Sequence, residues 1–226
     1  WAIRLPVRPP ALRPTAWGRG LSDGLSYAWH SPAIRSILLL VGILSLLAMP
    51  YGVLLPVFAR AILHGDSRTM GFLMGSAGVG AFLGGLYLAA RKSVLGLEKL
   101  TIVTTISFSL GLMAFSQSRS LGLSMALLVF IGFGMVTQMA SCNTILQTVT
   151  DDDKRGRVMS LFTTAFMGTA PFGSLLAGWL ASQLSAPKAL LLCGGTGMLC
   201  SLLLVDRRAV GQALLKAVRA QGPSPA

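Results

Sequence analysis

This 226-residue sequence is short of charge. Only 12% of its residues are charged, against roughly 25% in soluble domains. Apolar residues make up 53% and the mean hydropathy is +0.70. That deficit excludes an ordinary soluble domain and places the chain in the membrane class. Acid is scarcer still, with 7 Asp and Glu against 19 Lys and Arg. No acid lies within a long apolar run, so no proton-carrying carboxylate stands at membrane depth. The two histidines, His30 and His64, also lie outside those runs, and no G-x-S-x-G accompanies them. A His-liganded metalloenzyme and an intramembrane serine protease are disfavoured accordingly. No P-loop pattern is present, so ATP hydrolysis by that route is excluded. The three cysteines, Cys142, Cys193 and Cys200, sit in apolar runs without a CxxC pair and read as small packing residues. The expectation is a non-enzyme with neither cofactor nor metal.

What is present is a series of apolar runs, each near the roughly 17–25 residues that cross a bilayer as a helix. Six spans are predicted: Ile37–Phe58, Met70–Leu88, Leu100–Phe115, Leu121–Thr148, Val158–Leu184 and Ala189–Val205. None contains Asp, Glu, Lys, Arg or His. A central charge costs about 2.5–3.5 kcal/mol on insertion scales, so this clean partition supports the boundaries.

The bases divide unevenly between the two sides of such a bundle. Arg4, Arg8, Arg13, Arg19 and Arg35 precede the first span, Arg91, Lys92 and Lys99 follow the second, and Lys154, Arg155 and Arg157 follow the fourth. Arg207, Arg208, Lys216 and Arg219 follow the sixth, and the opposite side holds only Arg60, Arg68, Arg119 and Lys188. Both termini are therefore expected on the cytoplasmic side. The same asymmetry accounts for the net charge of +12 without nucleic acid. Residues 1–21, rich in Pro and Arg, read as a cytoplasmic linker, and residues 22–36 as an amphipathic segment at the interface or a simple loop with aromatic anchors. Residues 206–226 read as a cytoplasmic tail, disordered towards its end. The chain opens on Trp1 rather than Met and is expected to be part of something longer.

Several residues inside the spans carry specific expectations. Gly71, Gly75, Gly80 and Gly84 form two small-xxx-small pairs, suited to close helix packing or to a moving interface. Thr137, Ser141, Thr144 and Thr148 form one helical stripe, beside Gln138 and the i, i+4 pair Asn143 and Gln147. Polar groups cannot face lipid unsatisfied, so this stripe looks onto a water-filled cavity or bonds to neighbouring helices. Pro50, Pro56 and Pro171 each remove a helix hydrogen bond and are expected to kink or unwind the first and fifth spans.

Between the fourth and fifth spans lies "TDDDKRGR", with Asp151, Asp152 and Asp153 followed by Lys154, Arg155 and Arg157. Contiguous acids point in different directions on a helix, so a divalent-ion site is disfavoured. The acids are expected to cap the start of the fifth helix and the bases to hold that end inside.

The order of these features resembles the carboxy-terminal half of a major facilitator superfamily transporter. It is most similar to the bacterial branch of enterobactin-exporter-like proteins, also called transmembrane secretion effectors. The residues carrying the resemblance are "GLSYAWHSPAIRSILLL", "MGFLMGSAGVGAFLGGLYLAARK" and "NTILQTVTDDDKRGRVMSLFTTAFMGTAPFGSLLAGWLAS". It extends from about Gly24 to Val205. The chain departs from the superfamily's cytoplasmic signature after the second span. Ala89 stands where the acid belongs, leaving Gly85, Arg91 and Lys92.

The resemblance implies an all-α membrane protein, six helices forming one half of the fold, in a bacterial inner membrane. It implies export of small molecules by alternating access, coupled to protons, with a preceding six-helix half as partner and the proton carrier in that half. A central cavity would take residues from the first and fourth spans, here Ser45, Tyr51, Thr137, Gln138, Ser141 and Asn143. The rival expectation is a six-span scaffold that binds a partner and transports nothing alone.

Overall fold

A computed structural model describes residues 17–48, 50–204 and 206–221. These residues form helices, with no strand among them. In order they are α1 (Trp17–His30), α2 (Pro32–Leu47), α3 (Tyr51–Val57), a π-helical turn (Phe58–Ile62) and α4 (Ser67–Ala89). Then come α5 (Leu97–Gln117), α6 (Leu121–Val149), α7 (Arg155–Thr163) and a second π-helical turn (Thr164–Gly168). The series ends with α8 (Ala170–Leu184), α9 (Ala186–Leu204) and α10 (Arg207–Gln221).

Four helical stretches are long and apolar enough to cross a membrane: Pro32–Ile62, Ser67–Ala89, Leu97–Gln117 and Leu121–Val149. They match the first four predicted spans. The fifth predicted span is divided between α7 and α8 by the π turn, and the sixth is the 19-residue α9.

Packing sorts centre from edge. α5 buries 56% of its most apolar window and lies between α6 and α9. α4 buries only 22% of its own and packs chiefly on α6. α2 closes the bundle against α8, α9 and the second π turn. Phe58 of the first stretch stacks on Phe115 of α5 at 4.7 Å between ring centroids, both fully buried.

Local chemistry sets the ends. Asp66 caps α4 by accepting from the backbone N–H groups of Arg68 and Thr69, at 2.9 and 3.1 Å. Those bonds, the Thr69 N–H first among them, hold its carboxyl below the ordinary range. Gly96 precedes α5 at φ +84°, a left-handed backbone that suits glycine. Pro50 stands in the break between α2 and α3, as a residue without an N–H requires. Pro171 sits in the first turn of α8, where its missing donor costs least, and the π turn ends three residues before it.

The structure adds to two sequence expectations and corrects a third. The linker expected over residues 1–21 gives way to helix at Trp17, and its first sixteen residues lie outside the described ones. The expected tail contains α10, which buries Val210 and Leu214 against the bundle; residues 222–226 lie outside the described residues. The three acids do not cap the fifth helix. α7 begins at Arg155 with Lys154 at its cap position and no side-chain cap bond, so the acids stay in the preceding turn.

Candidate functional site

The polar stripe of α6 divides in two. Thr137, Gln138 and Ser141 are closed in by neighbouring helices, the least buried being Gln138 at 2% exposed. The Gln138 amide donates to the Cys142 thiol at 3.4 Å, while the hydroxyls of Thr137 and Ser141 have no partner. Towards the end of the helix, Asn143 and Thr144 are half-buried and Gln147 is exposed. Gln147 donates to Asn143, and Thr144 and Thr148 return their hydroxyls to carbonyls one turn back, at 2.9 and 2.8 Å. Of the residues assigned to one cavity, Asn143 and Tyr51 keep partial exposure and the other four do not.

Ser45 is one of those four, and its position has a clear cause. A π turn leaves carbonyls off the normal α-helical ladder. The Ser45 hydroxyl, fully buried on α2, donates to the carbonyl of Phe166 inside the second π turn. From the other side, the Thr169 hydroxyl donates to Ala165 at 2.7 Å and to Gly42 of α2 at 3.4 Å. α2 and the interrupted fifth run are thus tied by two hydroxyls. Tyr51 lies apart from this pair, with its hydroxyl 3.9 Å from the Met135 sulfur of α6 and its ring edge-on to Phe108.

The four paired glycines among those of α4, Gly71, Gly75, Gly80 and Gly84, do not act alike. A Cβ on Gly80 would collide with the Val129 carbonyl of α6, and one on Gly84 would lie 2.7 Å from the Phe133 carbonyl. Across the seam, a Cβ on Gly132 would collide with the Ala77 carbonyl. Gly71 and Gly75 instead have nothing within 4 Å on the open side of α4. The first small-xxx-small pair is therefore unpartnered, and the second makes backbone contact between helices.

At the charged end, three elements meet around the connection from α6 to α7. The Tyr27 hydroxyl on α1 donates to the Asp151 carboxylate at 3.0 Å, and Lys154 lies 4.5 Å from the Tyr27 ring centroid. Partial burial keeps the Tyr27 phenol protonated to higher pH than usual; the Asp151 backbone N–H opposes this and the Asp151 carboxylate adds to it. Arg155 pairs with Asp152 at 2.5 Å and donates to the Gln147 carbonyl at 3.0 Å. Gly24 of α1 lies against Arg157. A cavity of about 590 Å³ opens between Tyr27, Thr148, Asp152, Arg155 and Lys216 of α10. Asp153 is exposed. On the other loop, Arg91 donates to the carbonyls of Ser93 and Leu95, so it braces its own turn, while Lys92 is exposed. Sequence reasoning missed Thr169 and α10; the spacing of Val210 and Leu214 was the signal for the helix.

Long apolar helices, a paired set of interrupted ones and a charged layer at one end define a multi-pass helical membrane protein. The family described as transmembrane secretion effector matches residues 1–222, and the chain belongs to that family of the major facilitator superfamily. It is also similar to the multidrug efflux pump Tap of Mycolicibacterium fortuitum, 26% identical over 165 residues. That similarity covers 72% of this chain and 39% of the pump, so the chain spans about two fifths of its relative's length.

Proposed function

We propose that this chain is one six-helix half of a secondary exporter that moves small molecules out of the cytoplasm by alternating access, driven by protons. α7 with α8 would supply the fifth span and α9 the sixth, with both termini cytoplasmic in a bacterial inner membrane. The observation that carries the reading is the pair of adjoining interrupted helices, α2–α3 and α7–α8, tied through Ser45 and Thr169. Discontinuous helices side by side are the common setting of transport sites. The efflux pump it resembles supports the direction of movement. Asn143 and Tyr51, still partly exposed in this half, are the residues that would meet cargo between two halves, with Gln147 beside them.

In this reading Ser45 ties α2 to the fifth run, and Thr137, Gln138 and Ser141 lie packed between helices rather than on the cargo path. The Tyr27–Asp151 and Arg155–Asp152 contacts form a cytoplasmic latch. The sealed position of the buried polar residues favours one second reading, a six-span scaffold that binds a partner and does not transport. The full-length protein carrying this chain, produced in an efflux-deficient bacterium, separates the two. Lower accumulation of lipophilic cationic dyes, restored by a protonophore, is the expected result. Unchanged accumulation across a dye and drug panel, with the protein verified in the membrane, overturns export and favours the scaffold.

A further inference from the structure

A second cavity, of about 290 Å³, lies between α1, α2 and the start of the fifth run. Leu25, Ala28, Leu38, Leu161 and Ala165 line it, together with Thr164 and Thr169. Its mouth is different in kind. Trp29 stands 60% exposed, and the Arg35 guanidinium lies 5.5 Å from its ring centroid. Arg35 is exposed and has no carboxylate within ion-pairing distance among the described residues. His30, next to Trp29 along α1, turns a ring nitrogen towards the Ser26 carbonyl at 2.7 Å.

A slot that is apolar along its length and cationic at one end matches a hydrocarbon chain beneath a phosphate. Tryptophan favours the headgroup level of a bilayer, which places the mouth at that depth. Basic residues beside the cytoplasmic leaflet attract its anionic lipids. A zwitterionic headgroup would bring an amine to a mouth whose described lining residues offer it a guanidinium and no acid. We propose that this groove binds one acyl chain of an anionic phospholipid, whose phosphate is held by Arg35 beside Trp29. The site rests on the membrane placement of α1 and α2, and stands whether or not the protein exports anything.

Brominated lipids test this directly. The full-length protein is prepared with Trp29 as its single tryptophan, the others replaced by phenylalanine. It is reconstituted in phosphatidylcholine containing either brominated phosphatidylglycerol or brominated phosphatidylcholine. Phosphatidylglycerol should quench Trp29 at a mole fraction several-fold lower. Arg35→Gln should bring the two curves together, and Arg35→Lys should keep part of the preference, which guards against misfolding as the cause. Equal quenching by the two lipids overturns the proposal, as does a preference that survives Arg35→Gln. Absence of quenching by either also overturns it, by assigning the groove to another segment of the protein or to cargo.

Discussion

Along the seam between α4 and α6, Gly80 and Gly132 bring two backbones together until a Cβ on either would strike the other helix's carbonyl. Along the seam between α2 and the fifth run, hydroxyls reach across to carbonyls: Ser45 to Phe166 in the π turn, and Thr169 to Gly42 of α2. The first contact is steric: neither helix can turn without one backbone striking the other. The second is made of exchangeable hydrogen bonds, each worth about 1 kcal/mol net. A helix pair of the second kind can trade partners during a conformational change, and a pair of the first kind moves as one body. The comparison therefore divides this bundle into a rigid edge and an adjustable one.

The largest effect should come from the rigid edge. Gly80→Ala places a methyl group against the Val129 carbonyl and should cost about 3 kcal/mol or prevent folding, read by thermal unfolding in detergent. Gly75→Ala, with nothing within 4 Å, should leave the midpoint unchanged. Equal losses at the two positions would erase the distinction.

Next comes the adjustable edge. Ser45→Ala and Thr169→Val should each cost about 1 kcal/mol. In the double variant the costs should fail to add, because both hydroxyls hold the same turn. Strict additivity in that cycle would mean that the two ties are independent. Thr137→Val removes a buried hydroxyl that has no partner and should be neutral or stabilising by up to about 1 kcal/mol, with export intact. A loss of export at unchanged stability would return Thr137 to the cargo path.

The smallest effect belongs to the latch. Tyr27→Phe removes the bond to Asp151 and should cost about 0.5 kcal/mol, read by faster hydrogen exchange in α1. The phenol is held protonated above its ordinary value of 10.0. The contribution of that bond is therefore complete below about pH 10 and is lost as pH rises through the higher folded value. An α1 exchange rate indifferent to both the substitution and alkaline pH would remove the latch from the account.

Much of this architecture was legible in the residues. Absence of charge marked α4, α5 and α6 to within three residues at each end, because lipid tolerates few exceptions. The interruptions were readable as places, since Pro50 and Pro171 cannot donate. Their form was not: a proline announces a missing bond without saying whether the chain unwinds, bends or widens into a π turn. Which glycines touch a neighbour was also hidden, because lipid-facing and protein-facing sides of α4 are equally apolar. The cavity assignment of Gln138 and Ser141 rested on the rule that amides and hydroxyls avoid lipid. That rule places them inside protein and leaves open whether the inside is a void or a seam. α10 escaped notice because half of its apolar residues are alanines, too small to stand out among Arg207, Arg208 and Lys216.

The π turn at Thr164–Gly168 also carries a consequence for counting. Relative to an uninterrupted α-helix it holds one surplus residue, which rotates everything after it by about 100°. Gly173 meets the Leu46 carbonyl only in that rotated frame. Deleting Met167 would return the segment to continuous α-helix and swing Gly173 away from α2. Any relative lacking the turn should then match this chain only across a single-residue gap between Thr163 and Ala170, with its small residue displaced by one place.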